Sequence, residues 1–268
     1  MPAVAAILKG LLPLAYLGCL WFYWRLFFGT DDDRRGKPAK IALIAALAVH
    51  SGLLVALAAQ YRRCPLWTQG EALLFLAFML GVIHLLSEWS ADTRRLGFFT
   101  LAPAGFCATA GLLFLGRELT LSQEYRSSWF IFHIVASLAS YAAFSLAAVL
   151  AFLYLVLHRK LKHKTFDLTF RRLPPLDQLD RLSAAWAFLG ALLMLASSGI
   201  GAWWVRRDSL QGMSPREIGI FVVLAVFLFA AGARRTLDWQ GARHARIVLA
   251  GFALLLFVNL LGVHGFSF

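Results

Sequence analysis

Charged residues are scarce in this chain. Of its 268 residues, 26 are Lys or Arg and 14 are Asp or Glu, so that 15% are charged whereas 60% are hydrophobic. A soluble domain has roughly 25% charged residues, and no polar stretch here is long enough to form one. The composition predicts a membrane protein whose residues 1–268 form a single transmembrane domain.

Cysteine is rare as well. Cys19, Cys64 and Cys107 are the only three, and none belongs to a CxxC or CxxCH motif. These absences argue against thiol–disulfide exchange, a four-cysteine cluster and covalent haem attachment to this chain. The sequence also lacks a Ser-His-Asp arrangement, a zinc motif and a glycine-rich phosphate loop. No catalytic residue is therefore assigned.

Long apolar runs are what the chain has in abundance. A helix that crosses the hydrocarbon core needs about 20 residues, and eight runs approach or exceed this length. They lie at 5–26, 41–60, 72–89, 97–116, 129–157, 184–204, 217–233 and 245–264. The sequence predicts an all-α integral membrane protein with a bundle of about eight transmembrane helices.

The basic residues lie between these runs. Seventeen Lys and Arg fall in the odd-numbered connections and seven in the even-numbered ones. The positive-inside rule therefore predicts that the odd connections face the cytoplasm and that both termini lie on the outer side. The net charge of +12 fits contact with anionic lipid headgroups rather than with nucleic acid.

Two histidines are predicted at the same depth near the outer face. His133 lies one turn inside the start of the fifth run, and His264 lies at the end of the eighth. Two imidazoles at one depth on two helices can ligate an iron from both axial sides, as in bis-histidine haem proteins. The alternative is that each ring lies among the lipid headgroups.

The fifth run has a polar stripe on the face that includes His133. Ser137, Ser140, Tyr141 and Phe144 follow at helical spacing. Small residues form the neighbouring stripe, namely Ala136, Ala139 and Ala143. Such a face is expected to meet protein or a cavity rather than lipid, although packing of small residues alone gives the same pattern.

The other histidines divide into two groups. His50, in the middle of the second run, is a weak candidate for a second ligand site, with hydrogen-bonded packing as the alternative. His84 and Glu88 are four residues apart, a spacing that allows a stabilising ion pair or hydrogen bond. The remaining three lie among basic residues and are expected to be solvated: His158, His163 and His244.

The longest connection, 158–183, is predicted to be cytoplasmic. It contains RKLKHK and then LPPLDQLDRL, in which Asp177 and Asp180 precede the next run as a capping region. It is interpreted as a positive-inside anchor, with a docking site for a soluble partner as the alternative.

Four segments, taken together, resemble the cytochrome c assembly family of membrane proteins, which includes the CcsA, ResC and HemX-like proteins and the shorter YpjD group. The segments are WFIFHIVASLASYAAFSLAAVLAFLYLVLHRKLK (129–162), LPPLDQLDRL (173–182), DWQG (238–241) and NLLGVHGFSF (259–268). The resemblance covers residues 100–268 well and 41–95 loosely.

The resemblance implies a site at the outer face. In the CcsA branch, the histidines that match His133 and His264 are haem ligands beside a tryptophan-rich loop. The matching segment here, RDSLQGMSPREI (207–218), lacks those tryptophans and the aspartate, although Trp203 and Trp204 precede it. Gly232 stands where that branch has a further histidine. These departures leave open whether the chain itself catalyses haem attachment.

Two functional hypotheses follow. In the first, the protein binds or presents non-covalent haem b for cytochrome c biogenesis, with no metal other than the haem iron. A CcsB- or ResB-like protein and apocytochrome c are then its expected partners, in the inner (cytoplasmic) membrane. In the second, it is a non-catalytic HemX- or YpjD-like scaffold or regulator of a haem-related or other membrane complex. A transporter is less well supported, because no inverted repeat is evident.

Overall fold

The computed structural model shows the chain as a succession of helices. It describes the backbone of residues 2–29, 36–90, 93–115, 128–208 and 214–263, and their side chains except those of residues 2, 90, 204–208 and 261–263. No β-strand occurs among these residues. The helices are α1 (Pro2–Phe28), α2 (Gly36–Tyr61), α3 (Gln69–Ser90), α4 (Gly97–Leu113), α5 (Ser128–Lys162), α6 (Leu168–Arg172), α7 (Leu176–Asp208), α8 (Pro215–Thr236) and α9 (Ala242–Val263), with a 3₁₀ turn at Arg94–Leu96 before α4.

Eight of these helices, all but the short α6, are long and apolar enough to cross a membrane. This confirms the predicted all-α polytopic architecture. α7 begins at Leu176, directly after Pro174 and Pro175. Its first two turns are polar, so the helix starts well before the apolar run at 184. α8 begins at Pro215, where Ser214 and Glu217 form a reciprocal capping box.

Contacts divide the chain into two compact units, Met1–Ile134 and Val135–Phe268, called here the N-terminal and C-terminal units. In the N-terminal unit, α1 packs against α2 and α4, and α3 packs against α2 and α4. The predicted single domain stays a prediction.

Helix α1 has apolar side chains on both of its faces. One face is buried against neighbouring helices and repeats every three or four residues: Leu12, Tyr16, Cys19, Tyr23 and Leu26. The opposite face is exposed and equally apolar, with Ile7, Leu11, Leu14 and Leu17. An exposed apolar face of this kind is expected where a helix meets lipid.

Buried hydrogen bonds join the helices of the N-terminal unit. The Tyr23 hydroxyl of α1 donates to Glu88 Oε2 of α3 at 2.8 Å, and the Thr100 hydroxyl of α4 is 2.8 Å from His84 Nδ1 of α3. Nε2 of His84 lies 3.9 Å from the Glu88 carboxylate. Because polar groups away from water need partners, these contacts support the structural role expected for His84 and Glu88.

In the C-terminal unit, α7, α8 and α9 pack on one another. The ring of Phe144, on α5, stacks on Phe227 of α8, with centroids 3.7 Å apart. A Cβ at Gly190 of α7 would lie 2.7 Å from the Phe144 ring, so the absence of a side chain there allows the close approach. The Ser183 hydroxyl of α7 also donates to the Ala147 carbonyl oxygen at 2.9 Å.

Asp180 links three helices at one end of this unit. Its carboxylate pairs with Arg234 of α8 at 2.7 Å and accepts a hydrogen bond from the Gly241 N–H, at the entry to α9, at 3.0 Å. The sequence assigned Asp177 and Asp180 only to a capping region. Asp177 does lie in the first turn of α7, whereas Asp180 is buried and holds helix ends together.

The prediction of three solvated histidines is right for two of them. His158 and His163 are exposed. His244 is buried, with 2% of its surface exposed. The basic residues around it misled the sequence analysis, because α9 begins at Ala242 and turns His244 inward while its neighbours Arg243 and Arg246 stay exposed.

Gly97, at the start of α4, lies directly against the Tyr23 ring of α1. A Cβ there would lie 2.1 Å from Cδ1 of Tyr23 and would push that ring away from Glu88. We expect Gly97→Ala to lower the free energy of unfolding by about 2 kcal/mol, a typical cost of overpacking, measured by thermal unfolding in detergent. The control is Gly18→Ala on α1, where nothing lies within 4 Å and higher helix propensity should be neutral or stabilising. Equal melting temperatures for the two variants would contradict this packing.

The predicted orientation can be tested with single cysteines in a cysteine-free background. Ser128→Cys, at the start of α5, and Lys164→Cys, beyond its end, replace exposed residues. The charge distribution predicts that a membrane-impermeant maleimide labels Ser128→Cys in intact cells and labels Lys164→Cys only in inverted vesicles. The reverse pattern would place both termini on the cytoplasmic side.

Candidate functional site

His133 lies in the second turn of α5 and is half-buried. Its ring centroid is 6.3 Å from that of Phe130, one turn earlier on the same helix. The ring of Phe130 stacks almost parallel on Trp67, with centroids 4.7 Å apart and planes at 7°. The candidate ligand thus lies beside a stacked aromatic pair, Trp67–Phe130, within the N-terminal unit, with its own ring tilted at 42° to that of Phe130.

Trp67 is positioned by the polar residues around it. Thr68 and Glu71 form a capping box at the start of α3: the Glu71 N–H donates to Thr68 Oγ1 and the Thr68 N–H donates to Glu71 Oε2, both at 3.2 Å. The Trp67 N–H also donates to Glu71 Oε2, at 2.8 Å. Arg63 donates two hydrogen bonds to the same carboxylate, at 2.8 and 2.9 Å. This bidentate pair is almost fully buried, with 9% and 1% of the side chains exposed, so it fixes the connection that presents Trp67.

The sequence analysis missed Trp67. The signal that points to it is the segment TQGE (68–71), whose Thr and Glu have the capping-box spacing. The stack with Phe130 brings together residues more than sixty positions apart, and no local pattern indicates such a contact.

Cys64 lies in the same connection, outside the membrane-spanning helices. Burial raises the pKa of its thiol, the nearby Glu71 carboxylate adds to the effect, and Arg63 opposes it. The thiol is therefore protonated at neutral pH and is not poised as a nucleophile or metal ligand.

The polar stripe of α5 meets protein, as predicted. Ser137 Oγ lies 2.5 Å from Ser197 Oγ of α7, and the Ser140 hydroxyl donates to the Ser137 carbonyl oxygen at 2.7 Å. Ser140 and Phe144 are fully buried. This part of α5 is therefore held against α7 one turn beyond His133.

Further polar groups lie along α8 and α9 in the C-terminal unit. Arg216 Nη2, in the first turn of α8, is 3.4 Å from Asn259 Oδ1 of α9, and the Asn259 amide donates to the Leu255 carbonyl oxygen at 2.9 Å. The Tyr141 side chain of α5 also lies near the Asn259 side chain. The polar stripe of α5 thus continues to α9, the helix that precedes His264.

Two of the predicted site residues fall outside the described part. His264 lies beyond residue 263, and the side chain of Trp204 is not among those described. Trp203, in the last part of α7, is 55% exposed. The pairing of His133 with His264 and the roles of Trp203 and Trp204 stay predictions.

His50 is enclosed by the N-terminal unit and has no exposed surface. Its Nδ1 lies 2.9 Å from the Tyr16 hydroxyl, and its ring meets Tyr16 and Phe78 edge to face, with centroids 5.7 and 5.5 Å away. An axial ligand needs an open side for the porphyrin, so these contacts favour the packing alternative.

His133 could supply one protein ligand to a haem iron. Among the described residues, no three His, Cys, Asp or Glu side chains are grouped to hold a metal ion. A haem iron receives four ligands from its porphyrin and needs only one or two from the protein. A single half-buried imidazole beside stacked aromatic rings is consistent with that requirement.

Eight apolar helices, with an aromatic stack and a histidine at one end of α5, define a polytopic helical membrane protein with a candidate site for a flat aromatic ligand. The family model for the cytochrome C assembly protein matches residues 66–264, well over half of the chain. The chain belongs to this family, which confirms the resemblance carried by its motifs.

The similar proteins are named cytochrome c biogenesis protein CcsA. The one from Mesostigma viride is 28% identical over 228 residues, covering 74% of this chain and 75% of that protein. Those from Porphyra purpurea and Microcystis aeruginosa are each 25% identical, over 269 and 252 residues. They cover 84% and 74% of this chain, and 84% and 77% of the relatives.

The Arg63–Glu71 pair should be a strong determinant of stability. We expect Glu71→Gln to cost about 3 kcal/mol in unfolding free energy, because it leaves a buried guanidinium without its counter-charge. Thermal unfolding in detergent measures the change. The control is Asp177→Asn, which breaks the exposed Asp177–Arg181 pair (2.8 Å) and should cost less than about 1 kcal/mol. Equal losses of unfolding free energy in the two variants would show that burial does not strengthen the Arg63–Glu71 pair.

Proposed function

We propose that the protein takes part in cytochrome c biogenesis as a haem-handling membrane protein that binds or presents haem b, non-covalently, at the outer membrane face. His133 and His264 are the proposed axial ligands. The observation that supports this best is the stacked pair Trp67–Phe130, whose Phe130 ring lies 6.3 Å from the tilted His133 imidazole. When bound, the haem would supply the iron and the porphyrin that is passed on or presented.

The residues of the chain have separate roles in this proposal. The His133 imidazole would hold the iron through one ring nitrogen, and Phe130 and Trp67 would supply apolar aromatic surface beside it and limit access of water. Glu71 keeps Trp67 in place through the backbone hydrogen bond described above. Ser137 and Ser197 hold α5 against α7, which restricts the tilt of the helix that carries His133.

The comparisons support a role in cytochrome c biogenesis but do not identify the ligand. The similar proteins carry the name cytochrome c biogenesis protein, and the matched residues 66–264 include Trp67, His133 and His264. We propose that the protein lies in the inner (cytoplasmic) membrane, with a CcsB- or ResB-like protein and apocytochrome c as its partners.

The second candidate function is a HemX- or YpjD-like scaffold or regulator. It is favoured by two departures from the CcsA branch: the segment 207–218 has none of the tryptophans of the CcsA loop, and Gly232 stands where that branch has a further histidine. In that case the exposed connection around α6, where Asp167 caps the helix and pairs with Lys160, is the proposed docking segment for a soluble partner.

A visible spectrum with a pyridine haemochrome assay on detergent-purified protein tests the first function. We expect a low-spin b-type spectrum and the loss of one axial ligand in His133→Ala, with at least about tenfold weaker haem binding. Phe130→Leu should weaken binding about fivefold, because an aromatic contact contributes about 1 kcal/mol. His163→Ala, which removes an exposed histidine far along the chain, is the control.

Two outcomes would end this proposal. Haem retained at full occupancy in the double variant His133→Ala/His264→Ala would exclude these ligands. A protein that stays colourless after haem is added would favour the scaffold, and the proteins that co-purify with it would then identify the complex.

A further inference from the structure

A cavity of about 350 Å³ lies between α7, α8 and α9 in the C-terminal unit. One wall is apolar and consists of small alanines of α7 and α8 together with the rings of Phe188 and Phe227. The rest of the lining is polar and is formed by Arg234, Arg235, Gln240 and His244. The cavity therefore presents both a cationic and an apolar surface, and it shares no residue with the proposed haem site.

Two nitrogen atoms on the polar wall lack partners. Arg234 Nη2 pairs with Asp180, but its Nη1 is buried and, among the described residues, has no hydrogen-bond partner. The same holds for Nδ1 of His244, a side chain with only 2% of its surface exposed. A buried donor without an acceptor is costly, so an acceptor that enters the cavity would be bound favourably.

The charges around the cavity favour an anion. Asp180 neutralises Arg234, whereas the Arg235 guanidinium lies 5.2 Å from the centroid of the Phe188 ring as a cation–π contact. Asp238, the other acidic residue at this end, is exposed, accepts a hydrogen bond from the Gln240 amide and does not line the cavity. Arg235 is exposed, and no described carboxylate that lines the cavity pairs with it, so an anion in the cavity would meet its positive charge.

The apolar wall indicates that this anion carries a hydrocarbon chain. Ala185, at the mouth of the cavity, is exposed, and Leu189 and Leu192 continue from it along α7 as an exposed apolar stripe. A cavity of this size holds a headgroup phosphate and its glycerol but not the acyl chains. The stripe gives those chains an apolar surface beside the bilayer.

We propose that this cavity is a binding site for the headgroup phosphate of an anionic phospholipid. The phosphate oxygens accept hydrogen bonds from Arg234 Nη1, Arg235 and the Nδ1–H tautomer of His244, while the first acyl carbons lie against Phe188 and the alanines. Basic cavities between transmembrane helices commonly bind anionic headgroups in this way. The lipid bridges α7, α8 and α9 at the end where Asp180 already joins them.

Native mass spectrometry of the full-length protein, delipidated in detergent and titrated with phosphatidylglycerol or phosphatidylcholine, tests this site. We expect phosphatidylglycerol to bind about tenfold more tightly than phosphatidylcholine. Arg235→Gln should weaken phosphatidylglycerol binding about tenfold through the loss of charge-assisted hydrogen bonds. Ala231→Leu, which fills the apolar side without a change of charge, should weaken both lipids.

Arg243→Gln is the matched control, because it removes one exposed positive charge from the start of α9 outside the cavity. It should leave binding unchanged. Equal losses in Arg235→Gln and Arg243→Gln would overturn the proposal in favour of diffuse surface attraction, as would equal affinity for the two lipids. Displacement of phosphatidylglycerol by millimolar inorganic phosphate would overturn the lipid assignment and leave a site for a free anion.

Discussion

The helices of this protein depend on buried polar contacts for their arrangement. Lipid is as apolar as Leu, so removal of apolar surface from water does not select which helix faces meet in a bilayer. A polar group in the same environment must find a partner. The hydrogen bond from Tyr23 to Glu88 in the N-terminal unit and the contacts of Asp180 in the C-terminal unit satisfy this demand. Each joins different helices through residues that are distant in sequence and thereby favours burial of the faces that carry those residues.

The same constraint shapes the candidate haem site. Glu71 is almost fully buried, and its two oxygens are shared among Arg63, the capping-box N–H of Thr68 and the N–H of Trp67. The cluster holds a connection between two helices in one conformation, and that conformation stacks Trp67 on Phe130 beside His133. The buried Glu71 carboxylate, although costly to bury, thus holds the Trp67–Phe130 pair in place.

Sequence reasoning succeeded where a residue's environment follows from its own helix. The eight spans, the protein-facing stripe from Ser137 to Phe144 and the structural role of His84 and Glu88 were all predicted, because helical spacing and hydropathy are local properties. It failed for His244, whose basic neighbours indicated solvent although its own side chain turns inward. It also missed Trp67, whose position beside the candidate site depends on its stacking partner Phe130 on α5.

The class of this protein, the number of its spans and its family could be predicted from residue order alone, since they follow from apolar runs of membrane length and from ordered motifs. Which buried polar residues are packing groups and which line a cavity became clear only from the packing of the helices. His50 and His244 show the difference. Both are buried, but one is enclosed by Tyr16 and Phe78 and the other faces an open volume beside Arg234. The environment of a buried side chain depends on the residues that pack against it from other helices, and the sequence of its own helix does not show which residues these are.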